Sequence, residues 1–421
     1  MKYDPQTHRL TDTGAFQNRA LLVGIAGLLL SAVGLFINAE QFYFAYLTAF
    51  VFWFTIAIGG LFFTLLGHLT GAVWSVVLRR ITEALGVVLI FLAILFIPLL
   101  FGMHELFHWS DTEAVAYDAL LQKKSGYLNV PFFIIRALFY FTVWFALTRV
   151  LYKNSLQQDQ AADGTALAEK MRRISAPGTI LFALTLTFAS FDWIMSIDAH
   201  WYSTIFGVYI FSGSYLAVNA FLVILLQYFR RHRILTDVVT GEHFHDLGRL
   251  LFTFVIFWAY IAGAQYFLIW YANIPEETVW YLHRWQGSWK YVSLFIIAFH
   301  FVIPFFVLLF RAAKRNSLVL QIMAGLLLVM HWFDLYWLIM PSLHHYGPHW
   351  SWLDVTTLVG IGGVFLSLLI RQLARQPLVP TGDPRLRGSI GFFHHPYIFL
   401  YIDDSSYYCI DNTCVVTTDM E

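Results

Sequence analysis

Ten stretches of this 421-residue chain are each long and apolar enough to cross a lipid bilayer. A hydrocarbon core of roughly 30 Å takes about 20 residues of helix. The stretches fall near 19–38, 43–67, 81–102, 131–152, 178–199, 203–229, 248–272, 290–311, 317–340 and 352–371. Inside a bilayer every backbone N–H and C=O must be satisfied within the segment, so these runs have to be helices. The composition agrees, with 59% hydrophobic and only 12% charged residues, about half the charged share of a soluble domain. The expected fold is an all-α integral membrane protein of about ten transmembrane helices. A formal net charge of zero provides no overall field for nucleic acid, and that class of partner is set aside. Residues 1–18 are polar and hold no cleavable hydrophobic core, so no signal peptide is expected.

The placement of Lys and Arg tests both the number of spans and their direction. Of the 26 Lys and Arg, all but Lys123, Lys124, Arg136, Arg284 and Lys290 fall in alternate connections on one side. A missed or invented helix would scramble this asymmetry. The expectation is a multi-pass protein of the bacterial inner (cytoplasmic) membrane, with both termini cytoplasmic and lipid around its belt.

The chain divides into a cytoplasmic N-terminal segment, 1–18, a ten-helix membrane domain, 19–372, and a cytoplasmic tail, 373–421. The outer loop 103–130 is acidic, and the inner loop 153–177 is polar and reads as mobile or bound to a partner. In the tail, Pro377-Leu378-Val379-Pro380 and Asp383-Pro384-Arg385-Leu386 cannot be helical, so an extended docking segment is expected. A weak internal repeat relates the fifth and ninth spans. Phe191-Asp192-Trp193, Met195-Ser196 and His200-Trp201 match Phe333-Asp334, Met340-Pro341-Ser342, His344-His345 and His349-Trp350. It implies two four-helix bundles, spans 2–5 (about 43–199) and 6–9 (about 203–340), plus two flanking helices.

Ionisable side chains at membrane depth cost roughly 2.5–3.5 kcal/mol on insertion scales, so each needs a reason. The fifth span carries Asp192, then Ser196 one turn on, then Asp198 and His200 toward the outside. This forms a ladder of proton-exchanging groups. The plainer reading pairs Asp192 with Arg136 on the fourth span, as a buried ion pair that holds the bundle together. His300 on the eighth span, and His331 with Asp334 on the ninth, fall near mid-span. A titrating relay, a bis-histidine haem and simple packing all remain open for them, with haem disfavoured because a second histidine pair is missing. Tyr209, Ser212, Ser214, Tyr215, Asn219 and Gln265 add polar groups at depth, most simply as helix-to-helix bonds. The only cysteines, Cys409 and Cys414, rule out a disulfide framework and covalent c-type haem or iron–sulfur ligation by this chain alone.

With the run Phe191-Asp192-Trp193-Ile194-Met195-Ser196-Ile197-Asp198-Ala199-His200-Trp201-Tyr202-Ser203-Thr204-Ile205-Phe206-Gly207, the sequence resembles the membrane subunits of the polysulfide-reductase/nitrite-reductase (NrfD-like) family. Within that family it is similar to those of bacterial alternative complex III, a quinol:cytochrome c or high-potential-protein oxidoreductase. The proline-punctuated tail supports the closer likeness, and the resemblance spans the first helix to about residue 390; beyond 395 the sequence departs from the pattern. The resemblance implies a subunit without its own redox cofactor. Haem c and iron–sulfur clusters would belong to partner subunits, and menaquinol or ubiquinol would be the substrate of the whole complex. The implied partners are a second NrfD-like subunit, an iron–sulfur subunit, and multihaem and monohaem cytochrome c subunits. The implied role is scaffold plus a proton path through Asp192, Ser196, Asp198 and His200 and through His300, His331 and Asp334. Two rivals stay open: a stand-alone secondary transporter, since ten helices with a repeat and midplane charges fit that class, and a purely structural assembly subunit.

Overall fold

The computed structural model describes residues 1–393 and the backbone of a hairpin formed by strands Tyr407–Ile410 and Thr413–Val416. The rest of the expected tail lies outside the described residues. Ten helices are long and apolar enough to span a membrane: α1 (Gly14–Ile37), α2 (Ala39–Thr70), α3 (Trp74–Phe101), α4 (Val130–Gln158), α5 (Thr165–Ile197), α6 (Phe206–Arg231), α7 (Gly241–Ala272), α8 (Trp289–Leu309), α9 (Ser317–Ser342) and α10 (Trp352–Arg375). The protein is an all-α multi-pass membrane protein, as expected.

Local chemistry sets the helix ends. Asn38 accepts a hydrogen bond from the Gln41 backbone N–H at 3.0 Å and starts α2. Gly71, at φ +63°, stops α2 in the left-handed conformation that a glycine adopts without steric cost. Asn129 caps α4, with Pro131 in its first turn, and a Ser351/Asp354 capping box opens α10.

Helices α2, α3, α4 and α5 close into one four-helix bundle, and α6, α7, α8 and α9 into a second, each with its first helix packed against its last. The first helices of the two bundles, α2 and α6, also pack on each other. That explains why 83% and 78% of their apolar cores are buried, against 22% for α1. Flanking helices α1 and α10 run antiparallel in close contact and pack on α2. Backbones meet where small residues face each other. A Cβ on Gly27 would lie 2.7 Å from Gly360 Cα, and one on Gly363 would lie 2.5 Å from Gly24 Cα. Ser31 closes the seam with a hydrogen bond to Thr356 at 2.9 Å.

Three connections differ from the sequence reading. The polar loop 153–177 shrinks to residues 159–164, because α4 continues to Gln158 and α5 begins at Thr165. Its polar residues are the solvated faces of helices projecting beyond the apolar span, with Glu169 paired to Arg173 at 3.0 Å. The N-terminal segment is a small hairpin, Lys2–Asp4 against Arg9–Thr11, and α1 starts at Gly14 rather than after residue 18. The outer loop folds into short helical turns, two of them capped by Asp111 and Asp118.

The described part of the tail docks on its own chain. Leu378 and Val379 are buried, and the Leu378 N–H donates to His8 C=O at 2.7 Å. A short helix, Leu386–Ile390, follows the proline stretch. Its Ser389 hydroxyl donates to Trp74 C=O at 3.0 Å, and the Ser389 C=O lies 3.1 Å from His243 Nε2 on the second bundle.

Candidate functional site

Each bundle buries one carboxyl from its last helix, and the two carboxyls meet different partners. In the first bundle α4 supplies the partners. Arg136 Nε lies 2.8 Å from Asp192 Oδ2 and its terminal nitrogen 2.9 Å from Oδ1, a two-pronged ion pair. The Tyr140 hydroxyl, one turn further along α4, donates to Oδ2 at 2.7 Å. The remaining guanidinium edge donates to Tyr127 C=O at 2.8 Å, and its face lies 3.8 Å from the Tyr127 ring centre. Trp144, Trp193 and Phe54 wall the site.

In the second bundle the carboxyl has no cation within ion-pair distance among the described residues. Asp334 accepts from the Tyr209 hydroxyl on α6 and from the Trp258 indole N–H on α7 at 3.2 Å. The other face of that indole meets the His300 ring at 4.2 Å. His300 is fully buried, and among the described residues neither ring nitrogen has a hydrogen-bond partner. It sits in a π-helical segment, Ile297–Val302, that interrupts α8. Pro304 accounts for the widening: it has no N–H to offer the His300 carbonyl four residues back, and its ring pushes that carbonyl aside.

One turn before Asp334 on the same helix, His331 Nε2 lies 2.8 Å from Thr55 Oγ1 on α2. The Thr55 hydroxyl already donates to Phe52 C=O at 2.7 Å. It therefore accepts from His331, which places the ring proton on Nε2 and leaves Nδ1 bare. That bare nitrogen packs on α6, where a Cβ at Gly213 would come within 3.1 Å. Thr55 thus occupies one ring nitrogen of His331, and the α6 backbone packs against the other.

The outward segment is less continuous than the sequence suggests. After Trp193 the α-helix gives way to a 3₁₀ turn, Met195–Ile197. Ser196 donates to the Asp192 backbone C=O at 2.6 Å and not to its carboxylate. Asp198 faces the charges of Lys124, His283 and Arg284. His200 turns out to the surface and bonds Asp118 of the outer loop at 2.6 Å. Backbone N–H donors from Leu121 and Leu120, with His200, hold the Asp118 carboxyl below the ordinary aspartate range. Arg284 is buried against the Trp280 ring and donates to the carbonyls of Trp280, Trp337 and Leu338 at 2.9, 3.1 and 2.8 Å. Trp280 in turn stacks on Trp201 at 4.3 Å and so joins the two bundles at this end.

The structure thus brings Arg136 to Asp192, and gathers His300, His331 and Asp334 within one bundle. It separates Ser196 from the Asp192 carboxylate and His200 from Asp198. Tyr140, Trp258 and Thr55 complete the two clusters, and sequence reasoning passed over them. Tyr140 carried a signal, since it lies four residues after Arg136 on the same face. Of the polar groups noted at depth on α6 and α7, Tyr209 joins the cluster, whereas Gln265 bridges Ser203 and Tyr281 at 2.9 Å each. Among the described residues no group of three or more His, Cys, Asp or Glu is placed to hold one metal ion.

No protein-family model matches the chain, and a search of curated proteins returns no match.

Proposed function

We propose that this chain is a membrane subunit of a quinol-oxidising respiratory complex, of the kind represented by the F subunit of bacterial alternative complex III. It supplies scaffold contacts and a route for protons, and the redox cofactors belong to its partners. The observation that carries the reading is Asp334: a buried carboxyl held by a phenol and an indole, beside two buried histidines with unpaired nitrogens. Such a carboxyl can take up and release a proton without breaking an ion pair. The run at 191–207 and the duplicated bundle plan support the placement in the NrfD-like family. On this reading the protein sits in the bacterial inner membrane with both termini cytoplasmic. Its partners are a second NrfD-like subunit, an iron–sulfur subunit and cytochrome c subunits, and the complex oxidises menaquinol or ubiquinol.

Mild-detergent purification through this chain, followed by mass spectrometry and a reduced-minus-oxidised spectrum, tests the assembly. Co-purifying multihaem and iron–sulfur subunits support it; a colourless lone protein moves the assignment to a secondary transporter. In the assembled complex, Asp334→Asn is expected to slow quinol-driven proton uptake at least tenfold. If both Asp334→Asn and Asp192→Asn leave that uptake at the wild-type rate, the proton route fails and a scaffold remains.

A further inference from the structure

Away from both acid clusters, a cleft of about 530 Å³ opens between α4 and the pair α3 and α10, at the end of the molecule where α1 begins and α10 ends. Its lining changes character with depth. Phe145 on α4 and Val87 and Ile90 on α3 form the apolar end. Arg149 and Lys153 lie one and two turns further along α4, about 6 and 12 Å at 1.5 Å per residue. Arg375, the last residue of α10, meets them at the shallow end.

Three cations converge here, and among the described residues none of them has an ion-pair or hydrogen-bond partner. They are exposed, but they line the edge of an apolar floor in a volume typical of ligand sites. Tyr152 adds a donor: its oxygen already accepts from Gln372 at 2.8 Å, and among the described residues its own proton is not committed to any acceptor. Like charges brought together without a counter-ion repel one another, so the arrangement calls for an anion. The floor two turns deeper calls for a hydrocarbon attached to it.

We infer that this cleft binds one anionic phospholipid, with its phosphate among Arg149, Lys153, Arg375 and the Tyr152 hydroxyl and an acyl chain along Phe145, Val87 and Ile90. The depth order is that of a bilayer leaflet, headgroup outermost and hydrocarbon within, so a resident lipid needs no distortion to enter. A basic pocket between transmembrane helices at one membrane face is the arrangement that recognises such headgroups. The assignment does not depend on the proposed respiratory role.

The test is native mass spectrometry of the full-length protein titrated with phosphatidylglycerol and with phosphatidylcholine of the same acyl chains. Phosphatidylglycerol is expected to bind at least tenfold more tightly. Arg149→Gln/Lys153→Gln/Arg375→Gln should erase that preference. Val87→Trp, which fills the floor and keeps every charge, should weaken both lipids. Arg172→Gln/Arg173→Gln, exposed cations of the same face, should change nothing. Thermal melting of each variant confirms the fold, which is expected to survive because the three cations bond to nothing else among the described residues. Equal binding of the two lipids, an unaltered preference in the triple variant, or full displacement by millimolar inorganic phosphate would each overturn the proposal.

Discussion

A buried carboxylate facing a guanidinium and one facing only a phenol and an indole do different work. Removing one member of a buried, fully bonded ion pair leaves an uncompensated charge and costs about 3–5 kcal/mol. Asp192→Asn should therefore destabilise the protein by that order, and Arg136→Met likewise. The double variant should recover part of the loss in a denaturant-unfolding cycle, since neither charge is then left alone. Asp334→Asn keeps an acceptor oxygen for the Trp258 indole and turns its amide N–H toward Tyr209, whose hydroxyl can accept instead of donate, and it leaves no orphaned charge. Its cost should be about 1–2 kcal/mol, that of a weakened hydrogen bond. The contrast between the two substitutions separates a structural acid from one free to titrate. The pairing of Arg136 with Asp192 was legible in the sequence, because an unexplained charge on one span asks for an opposite charge on the next. That Asp334 has no such partner was not legible, because Tyr209 and Trp258 lie 125 and 76 residues away and aromatic residues are abundant throughout the chain.

At the scale of elements, two local rules decide the packing. The seam between α1 and α10 exists because Gly24, Gly27, Gly360 and Gly363 let backbones touch. Gly27→Leu or Gly360→Leu should pry the two helices apart at a cost of roughly 1–3 kcal/mol, the usual penalty of overpacking. A cysteine pair placed across the seam should then lose its crosslinking while the two bundles keep their melting transition. The other rule concerns α8, where Pro304 forces the π segment that carries His300. Pro304 is visible in the sequence, but the π segment is not. Its effect on the carbonyl four residues back depends on the chain continuing as helix past it, and packing against α7 and α9 supplies that continuation.

Across the whole molecule, the docked tail ties the N-terminal hairpin and both bundles together at one face. Asp383 is the centre of that contact. It is buried, pairs with Arg79 and bonds Arg385 at 2.9 Å. Burial alone would raise its carboxyl, but the bond from Arg385 and the charge of Arg79 outweigh that and hold it down at about 2. An unfolded aspartate titrates near 3.9. The folded form therefore gains stability that is fully present above about pH 4 and lost as the pH falls toward 2. Limited proteolysis should find the tail protected at pH 7 and at pH 5, and cut below about pH 3. Asp383→Asn should expose it at neutral pH, with the loss of roughly 1.5–3 kcal/mol expected for weakening a charged hydrogen bond, since Arg79 keeps Glu83 at 3.4 Å and Gln158 at 2.9 Å.

Ten helices, their alternating direction, and the presence of one unexplained acid near the end of each bundle follow from the order of residues alone. Apolar length and the cost of an unsatisfied backbone in lipid act along the chain, within one segment at a time. What each acid touches was decided only by the tertiary structure. So were the bond that fixes the His331 tautomer and the folding of the tail back onto its own bundle. These depend on contacts between residues far apart in sequence, and the spacing within one helix carries no information about which face of another will meet it.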